Sequence, residues 1–184
     1  MNKVLNILIL LPTVLLCILL CRNNNSFFNI AEIIKDHFSI FSECKGQYIT
    51  FVFLPLLISF GLVGEYSLND NIISTINVVI SILTAMFFSI LAILATDRSI
   101  DSDKRKQKNR DRIILLKQTF NSVMFEIINC IFILIFNILY NSIKYICYVN
   151  KIISFTVYFL LIVTLVNIFM LIKRIKKIFD NNIE

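Results

Sequence analysis

IISTINVVISILTAMFFSILAILA, residues 72–95, decides the fold. It carries no charge, no Gly and no Pro, and at 1.5 Å per residue it outreaches a hydrocarbon layer about 30 Å thick. A β-barrel strand would alternate apolar and polar at every second position over about ten residues, and this run does not. A surface helix of a soluble protein would show a broad polar face, whereas this one is apolar around most of its circumference. The stretch predicts a transmembrane helix, with some tilt to absorb its length.

Four further segments share this character: 4–21, 48–63 with Pro55 inside it, 120–140 and 152–172. The chain has 184 residues, 58% apolar and 16% charged, against roughly 45–50% and about 25% in a soluble domain. So little polar surface excludes an ordinary cytosolic enzyme and a disordered chain alike. Three Gly, two Pro and one His leave little material for phosphate loops, metal clusters or tight β turns. The predicted fold is all-α: a polytopic integral membrane helical bundle in one domain, 1–184. It has five spans, or four if 4–21 is re-entrant or peripheral, and an amphipathic interfacial helix.

The connections orient it. Residues 96–117 hold Arg98, Lys104, Arg105, Lys106, Lys108, Arg110, Arg112 and Lys117, and the tail 173–184 adds Lys173, Arg174, Lys176 and Lys177. The connection 64–71 has Glu65 and Asp70 and no basic residue, and 141–151 has only Lys144 and Lys151. Retained loops carry the positive excess, so the basic loop and the C-terminus are expected in the cytoplasm of a bacterial inner-membrane protein. A cleaved signal peptide fits worse, because no small-residue cleavage site follows 4–21 and cleavage would reverse every later loop.

Residues 26–41 read as an amphipathic helix, with Phe27, Ile30, Ala31, Ile34, Phe38 and Phe41 on one face and Glu32, Lys35, Asp36 and Ser39 on the other. Its charges make crossing the bilayer costly, so it is expected flat in the interface as a packing helix, or as a lipid or curvature sensor. The run Lys104, Arg105, Lys106, Lys108, Arg110, Arg112 sets topology and offers a surface for anionic lipid or a soluble protein partner. Nucleic acid is not an expected partner: Asp97, Asp101, Asp103 and Asp111 offset the charge, and no aromatic is interleaved for stacking.

Polar residues inside the spans carry the functional signal. On 72–95, Ser74, Asn77, Ser81, Thr84, Ala85, Ser89, Ala92 and Ala95 fall within one sector of about 140° at 100° per residue. Such a stripe lets helices pack closely, within the chain or between copies, and would equally line a water path. On 120–140, Ser122, Glu126, Asn129, Asn137 and Tyr140 cluster in a similar way. Glu126 stands out, since an ionisable group in a span faces a partner or water. It lies about 9 Å past Phe120 along the helix. Its readings are a structural hydrogen bond, a pairing with a basic residue, or a pore ring in an oligomer. On 152–172, Thr156, Thr164 and Asn167 are more scattered and suggest packing only.

Enzyme chemistry lacks its parts. His37 is the single histidine, no nucleophile-elbow, zincin or phosphate-loop pattern occurs, and Cys17, Cys21, Cys44, Cys130 and Cys147 have no metal-ligand spacing. No catalytic residue, cofactor or metal is expected. Three function classes remain: a membrane sensor or effector working with a soluble cytoplasmic partner, a pore lined by Glu126 and the Ser/Asn stripes, and a small transporter subunit. Self-association is expected, because so small a bundle has few helices with which to bury these polar faces.

In layout the chain resembles the small multi-span membrane components of bacterial anti-phage systems, such as those of the Kiwa type. The resemblance spans the whole chain as short apolar spans, the cytoplasmic basic run at 104–112 and the basic tail at 173–177, and it transfers no functional residue. It implies a protein that senses infection at the membrane and acts with a cytoplasmic partner.

Overall fold

The structure is a computed structural model that describes residues 30–39, 45–100, 108–143 and 147–183. Among these are five helices and no strand: α1 (Ile30–Ser39), α2 (Lys45–Glu65), α3 (Asp70–Ile100), α4 (Lys108–Ile143) and α5 (Cys147–Ile183). The apolar segment 4–21, both ends of the amphipathic segment 26–41, and Lys104, Arg105 and Lys106 lie outside the described residues.

Three helices are long and apolar enough to cross a membrane: Asp70–Thr96, Ile113–Asn141 and Tyr148–Ile178. The apolar part of α2, Phe51–Glu65, is shorter. The first of the three agrees with the expected 72–95. The other two outrun the expected 120–140 and 152–172, because isolated polar or charged residues such as Lys117 do not end a helix whose other faces stay apolar. The expected loop 96–117 is correspondingly narrower. Its first residues finish α3, and Lys108, Arg110 and Arg112 sit in the opening turns of α4.

The helices form a row, α2–α5–α4–α3, with α1 laid against α4. Half of the α4 apolar window is buried but only 17% of that of α3. The reason is positional: α4 has neighbours on several sides, while α3 packs on α4 alone among the described residues. The inward face of α3 is Ile73, Ile76, Ile80, Phe87 and Leu94, all buried, with three- and four-residue steps giving way to sevens. That spacing is the seam of a helix pair.

Consecutive helices α2 and α3 are joined by residues 66–69 yet pack on different partners. The connection is pinned rather than loose. Asn69 caps α3, its Oδ1 accepting from Ile72 N at 2.8 Å. Leu68 is buried; its carbonyl accepts the Tyr140 hydroxyl of α4 at 2.5 Å and its N–H points at Ser154 Oγ of α5 at 3.4 Å. One end of the bundle is thereby tied across three helices.

Candidate functional site

The buried polar groups of the core converge on α4. Thr119, Ser122, Glu126, Asn129, Ile133, Asn137 and Tyr140 fall within a sector of about 80° at 100° per residue, and all are buried. Only Ile133 in this seam is apolar. It separates a lower group around Glu126 from an upper one around Asn137.

In the lower group, Glu126 and Asn129 face α5. Asn167 Nδ2 donates to Glu126 Oε1. Asn129 Nδ2 donates to Thr164 Oγ1 at 2.8 Å and to the Leu160 carbonyl at 3.1 Å. Both pairs advance by three residues, in opposite directions along antiparallel helices, so a single register brings them together. Thr119 and Ser122 satisfy their hydroxyls within α4, donating to the carbonyls of Leu115 and Gln118 at 2.7 and 2.9 Å.

The upper group joins α4 to α3: Asn137 Nδ2 donates to Asn77 Oδ1 at 2.7 Å. Of the other α3 stripe residues, Thr84 is half-buried at the edge of this contact, while Ser74, Ser81, Ala85, Ser89, Ala92 and Ala95 are exposed on the outer surface of the helix. Two of the exposed hydroxyls have partners within the helix: Ser81 and Ser89 donate to the carbonyls of Asn77 and Ala85 at 2.7 and 3.0 Å.

The sequence placed Glu126 about two turns inside its span. With the apolar section of α4 running from Ile113 to Asn141, it lies about 20 Å from one end and about 22 Å from the other. It is at mid-depth of the helix. Thr164 and Asn167, read from the sequence as packing residues, are part of the site. Their only signal was the three-residue spacing that mirrors Glu126 and Asn129.

A second polar contact seats α1. The His37 ring stacks on Phe125 of α4 with centroids 4.1 Å apart, Phe38 meets the same ring edge-on at 6.1 Å, and Asn121 Nδ2 donates to Asp36 Oδ2 at 3.1 Å. The amphipathic pattern put Phe38 on the buried face. Instead His37 is turned inward at 2% exposure and Phe38 is left 37% exposed. A neutral imidazole offers a flat apolar face to Phe125, so the inward-facing sector is rotated toward it.

Burial first, and then the positive charge of Arg174, push the His37 pKa down to about 4 from an ordinary 6.5. The undocked helix therefore binds a proton before the docked one does. Docking of α1 is strongest above pH about 6.5 and weakens as pH falls toward about 4. Hydrogen exchange of residues 30–39 in lipid nanodiscs should rise over that window. His37→Phe, which keeps the stack and cannot titrate, should flatten the response.

Among the described residues no three His, Cys, Asp or Glu side chains come together as a metal ion would need. Cys130, beside the seam, is buried and free. No family model, curated protein or solved structure matches the chain. What the site can do is therefore read from its own groups. It holds α3, α4 and α5 in one register through hydrogen bonds, and it keeps one carboxyl group buried in the centre of the bundle.

Proposed function

We propose that the chain is a multi-pass, non-enzymatic protein of the bacterial inner membrane, acting as a sensor or effector with a soluble cytoplasmic partner. One observation carries this reading. The antiparallel register of α4 and α5 puts the start of α4, with Lys108, Arg110 and Arg112, at the same end of the bundle as the close of α5, with Lys173, Lys176 and Lys177. The basic residues thus gather at one end, as a retained cytoplasmic face requires. Among the described residues the core polar groups, by contrast, bond to one another or to backbone carbonyls.

Lipid fits the remainder of the surface. Val78, Val79, Ile82, Met86, Phe88 and Ile93 of α3 are all exposed, forming an apolar face too long for water to cover. Beside them the small residues Ser81, Ala85, Ser89 and Ala92 suit close approach of a second copy, which supports self-association through α3. The span count is four or five, according to how 4–21 is seated. The layout shared with anti-phage membrane components favours a role in defence.

Replacing Lys104, Arg105, Lys106, Lys108, Arg110 and Arg112 together with Gln tests the docking reading. The chain should remain in the membrane, held in orientation by the basic tail. Co-purification of a soluble partner from native membranes, and protection against phage in cells carrying the neighbouring genes, should both be lost. Unchanged protection would sink the docking reading.

A second reading, ion permeation, is favoured by the mid-depth position of Glu126. It requires Ile133 to leave the seam, because that side chain now separates the two polar groups. Flux through reconstituted vesicles that Glu126→Gln abolishes would favour it, and flux unaffected by that change would exclude Glu126 from the route.

A further inference from the structure

Glu126 and Asn167 are both buried, at 0% and 1% exposure, and Asn167 Nδ2 donates to Glu126 Oε1. Each keeps one oxygen without a hydrogen-bond partner among the described residues: Glu126 Oε2 and Asn167 Oδ1. An ionised carboxylate only accepts, and so does an amide oxygen. With Glu126 ionised, the core of the bundle would hold two orphaned acceptors and an uncompensated charge. Among the described residues no counter-charge pairs with the carboxyl group, and the Thr164 hydroxyl beside it has a competing acceptor. The Thr164 hydroxyl donates to the Leu160 carbonyl at 3.1 Å. Cys130 lies one turn along α4, His37 stacks on the neighbouring Phe125 with its pKa pushed down to about 4 by burial and Arg174, and Arg174 is about two turns beyond Asn167. From α3, Thr84 lies beside Cys130; it is uncharged and donates to the Ile80 carbonyl at 2.7 Å.

A single proton resolves both orphans. We propose that Glu126 and Asn167 form a proton-binding site at the centre of the bundle, a neutral carboxylic acid closed against a primary amide by two hydrogen bonds. The acid O–H on Oε2 donates to Asn167 Oδ1, while Asn167 Nδ2 donates to Oε1. Acid and amide have complementary edges, one donor and one acceptor each, so the pair is complete without water or a cation. Losing the proton would leave a carboxylate facing the Asn167 carbonyl oxygen in a dry core, so proton occupancy and closure of α4 on α5 are linked. The site depends on the membrane reading only for the dryness of its surroundings. It is independent of any partner at the basic end, so the two can fail separately.

Infrared difference spectroscopy of the purified full chain in ether-linked lipid, which has no ester carbonyl, tests this at neutral pH. A carboxylic-acid carbonyl band is expected there and is assigned to Glu126 by difference. The band should vanish in Glu126→Gln, which rebuilds the same pair as amide on amide and keeps the fold. It should move to higher frequency in Asn167→Leu, or in the smaller, still polar Asn167→Ser if the Leu variant does not fold. It should be indifferent to exchange of the buffer cation between sodium, potassium and choline. Only carboxylate bands at neutral pH would overturn the proposal. A band that appears in choline and disappears in sodium would overturn it in favour of a monovalent-cation site, and a band unmoved by both Asn167 variants would show that the amide is not its partner.

Discussion

Phe87→Ala is expected to lower the stability of the folded bundle by about 3 kcal/mol, near the bottom of the usual range for removing a buried aromatic ring. The lower end applies because in lipid the detached helix stays in an apolar solvent. The lost term is packing and the cavity left behind, without the transfer from water. Phe87 is 1% exposed and lies on the one face by which α3 holds α4. Few other side chains on α3 can collapse into the space. Phe88, its neighbour in sequence, is 54% exposed on the outer surface, and Phe88→Ala should change stability by no more than about 0.5 kcal/mol. Unfolding in mixed micelles, followed by helix content, measures both. Equal losses would mean that α3 is seated on a different face.

Asn167→Leu is expected to cost about 2 kcal/mol, because it leaves the buried Glu126 carboxyl without its donor and without its acceptor at once. Leu fills similar space, so cavity formation contributes little. Glu126→Gln should be nearly silent, within about 0.5 kcal/mol, since its amide preserves both bonds to Asn167. The order of these two effects is informative. If Glu126→Gln were the more damaging, the carboxyl group would hold a charge that some cation answers. A double-mutant cycle of Glu126→Leu with Asn167→Leu should show strong non-additivity, as direct partners do.

Much of this fold is legible in the sequence where chemistry is uniform over many residues. The segment 72–95 carries no charge over its length, and the structure gives an apolar helix at Asp70–Thr96. The segment 120–140 begins after Lys117, whereas the apolar helix runs Ile113–Asn141, because a helix continues through a lone basic residue whose long stem reaches past its apolar neighbours. The difference shifts Glu126 from about two turns inside the apolar stretch to its middle.

Partnership was harder to read than position. Helical periodicity grouped Glu126, Asn129 and Asn137, but which helix each one meets depends on register between segments far apart in the chain. Asn77 and Asn137 each belong to a polar stripe in the sequence, and they meet one another. Thr164 and Asn167 look unremarkable in a helix rich in Leu, Ile and Phe until α4 lies beside them. The small residues on α3 carry the same ambiguity: they suit close contact within the chain or between copies, and most of them face outward, with Ser81 and Ser89 bonded to their own helix. His37 illustrates the same limit, because amphipathicity cannot foresee that a neutral imidazole will displace a phenyl ring from the buried face.

The most direct measurement of the membrane bundle and its orientation is labelling of single cysteines in a cysteine-free chain. Positions 67 and 102 flank α3 at its two ends. A membrane-impermeant maleimide added to intact spheroplasts should label Ser67→Cys and leave Ser102→Cys untouched until the membrane is opened. Labelling of both from the outside, or of position 102 alone, would contradict a helix that crosses the membrane with its basic end in the cytoplasm.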